Sequence, residues 1–363
     1  MSSVRGVSAS AAAVLTLTLL AAPAAPTVPA ALTVPTAPTV PTAPAAPVAP
    51  TASPAPSAPA RRAAALPLPG VNVTYQQQTG DPVRLSAYGL GTKATYVRAR
   101  TGDAFTVRAA VSEAVVSPDG RILAAVPTAY RAGKDALLLT DRATGALRRV
   151  PTVAKPLTAS SISWSRDGRR VALTVERKTG GSWRTAGFTV VDVAAGTART
   201  VAVAGVDARA AFAWTPAGDL ISRHGDGLRA YRAADGAVLS THTTLGRPTG
   251  PEDPYSPSGR RLALWCPPRS AERLCVADPA TGQIVKRVAV RPTALFGWWD
   301  EDHVIAVMPQ GGAYRLTVVG LDGRASRVLA AVPARTWTAK LWLTFNRAAS
   351  GGTAATGALP GGV

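Results

Sequence analysis

Along the chain, short apolar runs alternate with polar turns, and the turns fall into two kinds. The first is seen in Ala114-Val115-Val116-Ser117-Pro118-Asp119-Gly120-Arg121-Ile122-Leu123-Ala124. Its proline presets φ early in the turn and its glycine accepts a positive φ later. Two apolar runs across such a turn read as a hairpin. The pattern recurs as Ile162-Ser163-Trp164-Ser165-Arg166-Asp167-Gly168-Arg169-Arg170-Val171-Ala172-Leu173, and in weaker copies at 212–221, 255–264 and 297–306. Taking Ser117, Ser165, Thr215, Ser256 and Trp299 as equivalent, the steps are 48, 50, 41 and 43 residues.

The second kind lies between the copies: Asp141-Arg142-Ala143-Thr144-Gly145, Asp192-Val193-Ala194-Ala195-Gly196, Asp278-Pro279-Ala280-Thr281-Gly282, and shorter versions ending at Gly102, Gly236 and Gly323. Strand-like runs at 136–140, 188–193, 274–277 and 314–319 precede several of them. Each repeat therefore holds two hairpins, or four strands. Such a unit cannot bury both faces alone, and radial repetition around an axis covers them. The expected fold is all-β, a β-propeller of six four-stranded blades at about 46 residues each. Seven is the alternative count, because residues 71–95 are hard to place. Six second-kind turns alternate with five of the first, so the chain should begin partway through one blade and complete it with a C-terminal strand near 340–345.

The S-P-D-G-R-x-L-A run at 117–124, followed by D-x-x-T-G at 141–145, resembles the WD40-like (PD40) repeats of the TolB β-propeller family. The resemblance extends over residues 71–345. It implies a propeller with a binding or scaffolding role outside the cytoplasm, although related propellers also serve as accessory domains of peptidases. The repeat motif maintains architecture and marks no active site.

Composition divides the chain further. Residues 1–24 have the parts of a secretory signal: Arg5, the apolar run 11–22 and Ala22-Pro23-Ala24 as cleavage site. The run is shorter than the ~20 residues that span a bilayer, so an uncleaved, spanning signal is the second choice. Residues 25–69 read as a disordered Pro/Ala/Thr-rich linker. Residues 23–60 hold 12 of the 31 prolines and no charge, in a spacing of three that suits polyproline II. Residues 70–347 are the expected propeller, and 348–363 a flexible Gly/Ala tail. Two cysteines exclude a disulfide framework. Cys266 and Cys275, on either side of a hairpin in an exported chain, are expected to bond to each other.

The formal charge is +19, or +18 once Arg5 leaves with the signal. Such a surface attracts polyanions. For an exported protein that favours an anionic cell-wall polymer over nucleic acid; an envelope protein is the other partner class, and arginines dispersed by composition alone are the competing explanation. A monomer is expected.

Candidate chemistry is sparse. Trp164, Trp214 and Trp298 share one repeat position, which points to packing between blades. Trp265, Trp299, Trp337 and Trp342 break that pattern and are better binding candidates. Trp299, Asp300, Asp302 and His303 are the candidate ligand-face residues, although the acidic run also reads as a solvated turn, and the spacing of a calcium loop is missing. No G-x-S-x-G elbow occurs. Gly89-Leu90-Gly91-Thr92-Lys93-Ala94 fits a dinucleotide fingerprint only loosely, since Thr95-Tyr96-Val97 continues as a strand where a helix is required. No catalytic, metal or cofactor residue is assigned. The expected function is a non-enzymatic binding or scaffold propeller at the cell envelope. The alternatives are a propeller hydrolase or lyase, marked by perturbed carboxylates or a metal at the central channel, and a structural wall protein.

Overall fold

The computed structural model describes residues 63–347, so the expected signal, nearly all of the linker and the C-terminal tail lie outside the described residues. Six four-stranded antiparallel sheets make up the propeller. Blade 2 is Val111–Val116, Ile122–Pro127, Lys134–Asp141 and Leu147–Ala154. Blade 3 is Leu157–Trp164, Arg170–Thr179, Ser182–Asp192 and Thr197–Ala202. Blade 4 is Phe212–Trp214, Leu220–His224, Gly227–Tyr231 and Val238–His242. Blade 5 is Arg247–Pro248, Leu262–Trp265, Leu274–Asp278 and Gln283–Val288, and blade 6 is Ala294–Trp298, His303–Gln310, Ala313–Gly320 and Ala325–Val332. Blade 1 joins both ends of the chain. Leu341–Arg347 is its innermost strand, followed outward by Val83–Leu90, Ala94–Arg98 and Phe105–Arg108.

The turn chemistry read from the repeats is what the backbone uses. Ser117 and Ser165 each accept the N–H of the turn glycine, Gly120 at 2.8 Å and Gly168 at 2.9 Å, and Thr215 and Ser256 do the same for Gly218 and Gly259. The four glycines have φ of +76°, +69°, +87° and +77°, a region that costs a side-chain-bearing residue strain. Ser117 Oγ also donates to Asp119 at 2.5 Å, and Ser165 Oγ to Asp167 at 2.6 Å, which locks each corner from within.

No single core fills the molecule. Six apolar clusters form instead, one at each seam between neighbouring blades. The seam of blades 3 and 4 contains Phe188, Phe212 and Tyr231, all fully buried, with ring centroids 5.1 and 5.6 Å apart in edge-to-face pairs. Burying each such side chain contributes about 1.5–3 kcal/mol, and each aromatic pair about 0.5–1.5 kcal/mol more. Since the apolar faces look at their neighbours, the centre of the ring is left open.

The stretch that resisted placement resolves into two parts. Val83–Leu90 and Ala94–Arg98 belong to blade 1, while Ala63–Leu68 and Val73–Gln78 form a separate hairpin. Residues 63–69, which composition assigns to the linker, are thus partly strand. Leu66, Leu68, Val73 and Tyr75 of the hairpin enter the seam of blades 6 and 1. Polar contacts fix it there: Arg327 of blade 6 pairs with Asp81 at 2.6 Å and donates to the Gln76 carbonyl at 2.7 Å. The hairpin covers the seam at which the chain ends meet.

Closure itself is a strand register. Leu341 faces Leu90 and Arg347 faces Val83. Arg347 donates to the carbonyls of Trp298 and Trp299 in blade 6, and Asn346 to those of Val116 and Ser117 in blade 2, so the last strand ties both neighbours. A short helix, Ala334–Thr338, leads into it.

One expected strand is displaced. The pattern places the inner strand of blade 5 just before Ser256, yet the paired strand is Arg247–Pro248, and Tyr255 makes only an isolated bridge to Leu262. Pro251 and Pro254 explain this, because proline has no N–H to donate to a ladder. Residues 249–254 leave the sheet and turn toward the axis.

Candidate functional site

The open centre is a channel with a cavity of about 580 Å³. Its walls come from inner strands: Val115 and Val116 of blade 2, Ile162 and Trp164 of blade 3, Phe296 and Trp298 of blade 6, and Leu343 and Phe345 of blade 1. Onto this apolar lining project Glu113, Glu252, Asp253, Arg166 and Arg347. A concave apolar site with a few convergent polar groups is the usual form of a ligand pocket.

Most of those polar groups have partners. Glu113 reaches from blade 2 to blade 3, where its two oxygens accept the N–H groups of Ser161 at 2.8 Å and Ile162 at 2.7 Å. The bulge between Ser160 and Ser163, with Ser161 at φ +58°, turns both N–H groups toward it. Burial pushes the Glu113 carboxyl up, and the two N–H bonds oppose that rise. Arg166, in the first turn of blade 3, crosses the channel mouth past blade 4. It pairs with Asp253 at 2.7 Å and donates to the carbonyls of Tyr255, Ser256 and Pro257. This one guanidinium bridges blades 3 and 5 and narrows that end.

Glu252 differs. It is half-buried in the channel wall, on the loop freed by Pro251 and Pro254, and among the described residues no side chain pairs with its carboxylate. Burial, with a smaller contribution from the Glu113 charge, pushes its pKa up to about 7. Near neutrality it is therefore part acid and part carboxylate. It can donate or accept a hydrogen bond from a ligand, or balance a cation.

The sequence candidates lie elsewhere. Trp299 is 8% exposed, packed into the seam of blades 6 and 1 beneath the Arg327 guanidinium at 5.6 Å. Asp300 accepts from His303 Nδ1 and from the Asp302 N–H, both at 2.8 Å, and Asp302 pairs with Arg261 of blade 5 at 2.6 Å. Glu301 accepts from Ser258. The acidic run is thus a turn that staples blade 6 to blade 5, bordering a basin of about 510 Å³ lined also by Arg261 and Lys286. None of the four lines the channel. Among the described residues no group of three or more His, Cys, Asp and Glu is placed to hold a metal, and no helix is long and apolar enough to cross a membrane.

The repeat tryptophans do pack between blades. Trp164 donates its indole N–H to the Val115 carbonyl of blade 2 at 3.1 Å, Trp214 to Ser163 of blade 3 at 3.0 Å, and Trp298 to Pro254 of blade 5 at 2.7 Å. Of the tryptophans outside the pattern, Trp337 packs on Tyr314 and Trp342 lines the channel. Trp265 lines a second cavity. Cys266 and Cys275 are bonded, with Cα atoms 5.0 Å apart, across the hairpin of blade 5.

Three of the channel residues carry a signal in the sequence. Arg166 stands where three other copies have Pro118, Pro216 and Pro257. Glu252 and Asp253 sit between Pro251 and Pro254, just before the fourth copy of the repeat. Nothing in the sequence distinguished Glu113.

No family model matches the chain, and no curated protein matches it either. Among solved structures it is similar to TolB from Acinetobacter baumannii, at 18% identity and a TM-score of 0.44, over 69% of this chain and 64% of that one. It is similar to the β-propeller domain of the Trilobed protease from Pyrococcus furiosus at 13% identity and a TM-score of 0.46, over 65% and 74% of the two chains. An acylaminoacyl peptidase from Pyrococcus horikoshii matches at 13% identity and 0.44, over 70% of this chain and 44% of its own. The match thus spans a little under two thirds of the TolB chain and less than half of the peptidase.

Proposed function

We propose that the protein is an exported, non-enzymatic propeller that acts as a binding or scaffold domain at the cell envelope and takes its ligand in the central channel. The observation that carries this reading is the state of the channel's polar groups. Glu113, Asp253 and Arg166 are committed to blade-to-blade contacts, and among the described channel carboxylates Glu252 is left without a partner from another residue, on an aromatic wall. That arrangement suits recognition of an apolar segment carrying one polar or cationic group. In this reading residues 1–24 direct export, the Pro-rich stretch spaces the propeller from the envelope, and the disulfide befits an oxidising compartment.

A hydrolase or lyase is the second reading. It is favoured by the raised Glu252 pKa, which suits a general acid or base. Both readings meet one experiment. The protein is immobilised, envelope extract is passed over it, and wild type is compared with Glu252→Ala; in parallel, turnover of a panel of chromogenic esters and glycosides is followed. A captured partner lost in Glu252→Ala supports binding in the channel, whereas equal capture overturns it. Turnover that disappears in Glu252→Gln replaces the binding reading with the enzymatic one.

A further inference from the structure

On the face opposite the repeat turns, a cavity of about 830 Å³ opens between blades 4 and 5. Antiparallel strands alternate direction, so the connections after the second strand of each blade and the links between blades gather on this face. Five arginines line it: Arg209 from the link into blade 4, Arg223 from the end of its second strand, Arg247 at the start of blade 5, Arg273 after the disulfide-bridged loop, and Arg291 from the link into blade 6. The sole carboxylate in the lining is Glu272, which accepts from Ser270 at 2.9 Å.

Arg223 pairs with Asp207 at 3.2 Å. The other four have no carboxylate within ion-pair distance among the described residues. The Nε of Arg247 is buried and lacks a hydrogen-bond partner, so one N–H is desolvated without an acceptor. A buried donor left unpaired is unfavourable, and like charges converging on one concavity repel. An anion removes both penalties. Of the rest of the lining, Thr249 supplies a hydroxyl, the Ser270 and Thr293 hydroxyls already donate to Glu272 and to the Val307 carbonyl, and Pro248, Pro267, Pro268 and Pro292 stiffen the wall. The Cys266–Cys275 bridge closes the loop bearing residues 267–273, which holds the wall in place.

We infer that this cavity is a binding site for a linear polymer of linked phosphates. Guanidinium forks match phosphate oxygens two at a time. Four unneutralised forks spread over the cavity call for several phosphates in a row, and a single phosphate would meet only one or two of them. The inference stands apart from the channel reading, since it concerns other residues on the opposite face.

Isothermal titration calorimetry of the full chain with its disulfide intact tests it, using inorganic tripolyphosphate, purified poly(glycerol phosphate), orthophosphate and citrate. One-to-one binding of either polymer, at least tenfold tighter than orthophosphate and citrate, is expected, and the tighter of the two distinguishes an anhydride from a diester source. Arg247→Ala and Arg291→Ala should each weaken binding about tenfold. Arg247→Lys, which keeps the charge and loses the fork, should weaken it at least threefold. Arg291 is exposed, so its variant is informative even where Arg247→Ala impairs folding. Multiple weak sites, or an equal loss in Arg324→Ala at a residue with a 90% exposed side chain, would show diffuse surface attraction and overturn the inference. Failure of both polymers to bind overturns it directly.

Discussion

The carboxylate of Glu113 accepts the backbone N–H of Ile162 at 2.7 Å, across 49 residues of chain, and so joins blade 2 to blade 3 from inside the channel. The second oxygen holds the Ser161 N–H at 2.8 Å. Removing the carboxylate leaves two donors beside a bulge. Glu113→Ala should cost roughly 2–3 kcal/mol and Glu113→Gln, which keeps one acceptor, about half of that. Urea unfolding reads both, and an unchanged midpoint in Glu113→Ala would show that channel water replaces the carboxylate.

Glu252 should make stability depend on pH. Its folded pKa of about 7 lies above the ordinary carboxylate value of 4.5, so between those values the native state holds more proton than the unfolded chain. Stability from this group is present below pH 4.5 and declines as pH rises through 7. Channel water screens the charge, so the loss between pH 5 and 8 should be about 2 kcal/mol, below the full linkage value. Glu252→Gln should flatten this part of the profile, though Glu113, also raised by burial, leaves a slope of the same sign. Parallel profiles for wild type and Glu252→Gln would refute the assignment.

Trp214 is 3% exposed, holds the Ser163 carbonyl at 3.0 Å and has the Arg170 guanidinium 4.6 Å from its ring. Trp214→Phe keeps most of the apolar volume but orphans that carbonyl, at about 1–2 kcal/mol. Trp214→Ala should cost about 3–5 kcal/mol. Half-exposed Trp265 is the comparison, and its Phe variant should change the thermal midpoint little.

Replacing Cys266 and Cys275 by Ala opens a ring whose ends are 9 residues apart in sequence. The chain-entropy account gives a loss of about 2–3 kcal/mol. Far-UV circular dichroism should be unchanged while the urea midpoint falls. If the midpoint stays put, the bridge serves only to position the loop.

Ending the chain after Lys340 removes the strand that pairs with Val83–Leu90 and leaves a long apolar edge exposed. Such a protein should aggregate on size-exclusion chromatography or melt without cooperativity. A sharp melt at the wild-type temperature would show that the ring does not need this closure.

Much of the architecture was legible because its determinants are local. Gly120 and Gly168 reveal where φ must be positive, Asp119 and Asp167 bond within their own turns, and the shared position of Trp164, Trp214 and Trp298 announced packing at the repeat period. The expectation for Trp299 had a different fate in the structure. A residue that replaces a turn serine looked available for contact, yet the hairpin at 63–78 and Arg327 cover it, and that hairpin has no counterpart in the repeat.

By itself the sequence determined the period, the corners, the four strands of each unit and the joining of the two chain ends, because each follows from backbone preferences over a few residues. Only the tertiary structure decided which side chains share a space. Arg166 meets Asp253 across 87 residues, and Arg209 and Arg291 come to one cavity from the links that precede blade 4 and follow blade 5. Such meetings are properties of a closed ring: the angle at which each seam packs sets what stands across the axis, and no local propensity encodes that angle.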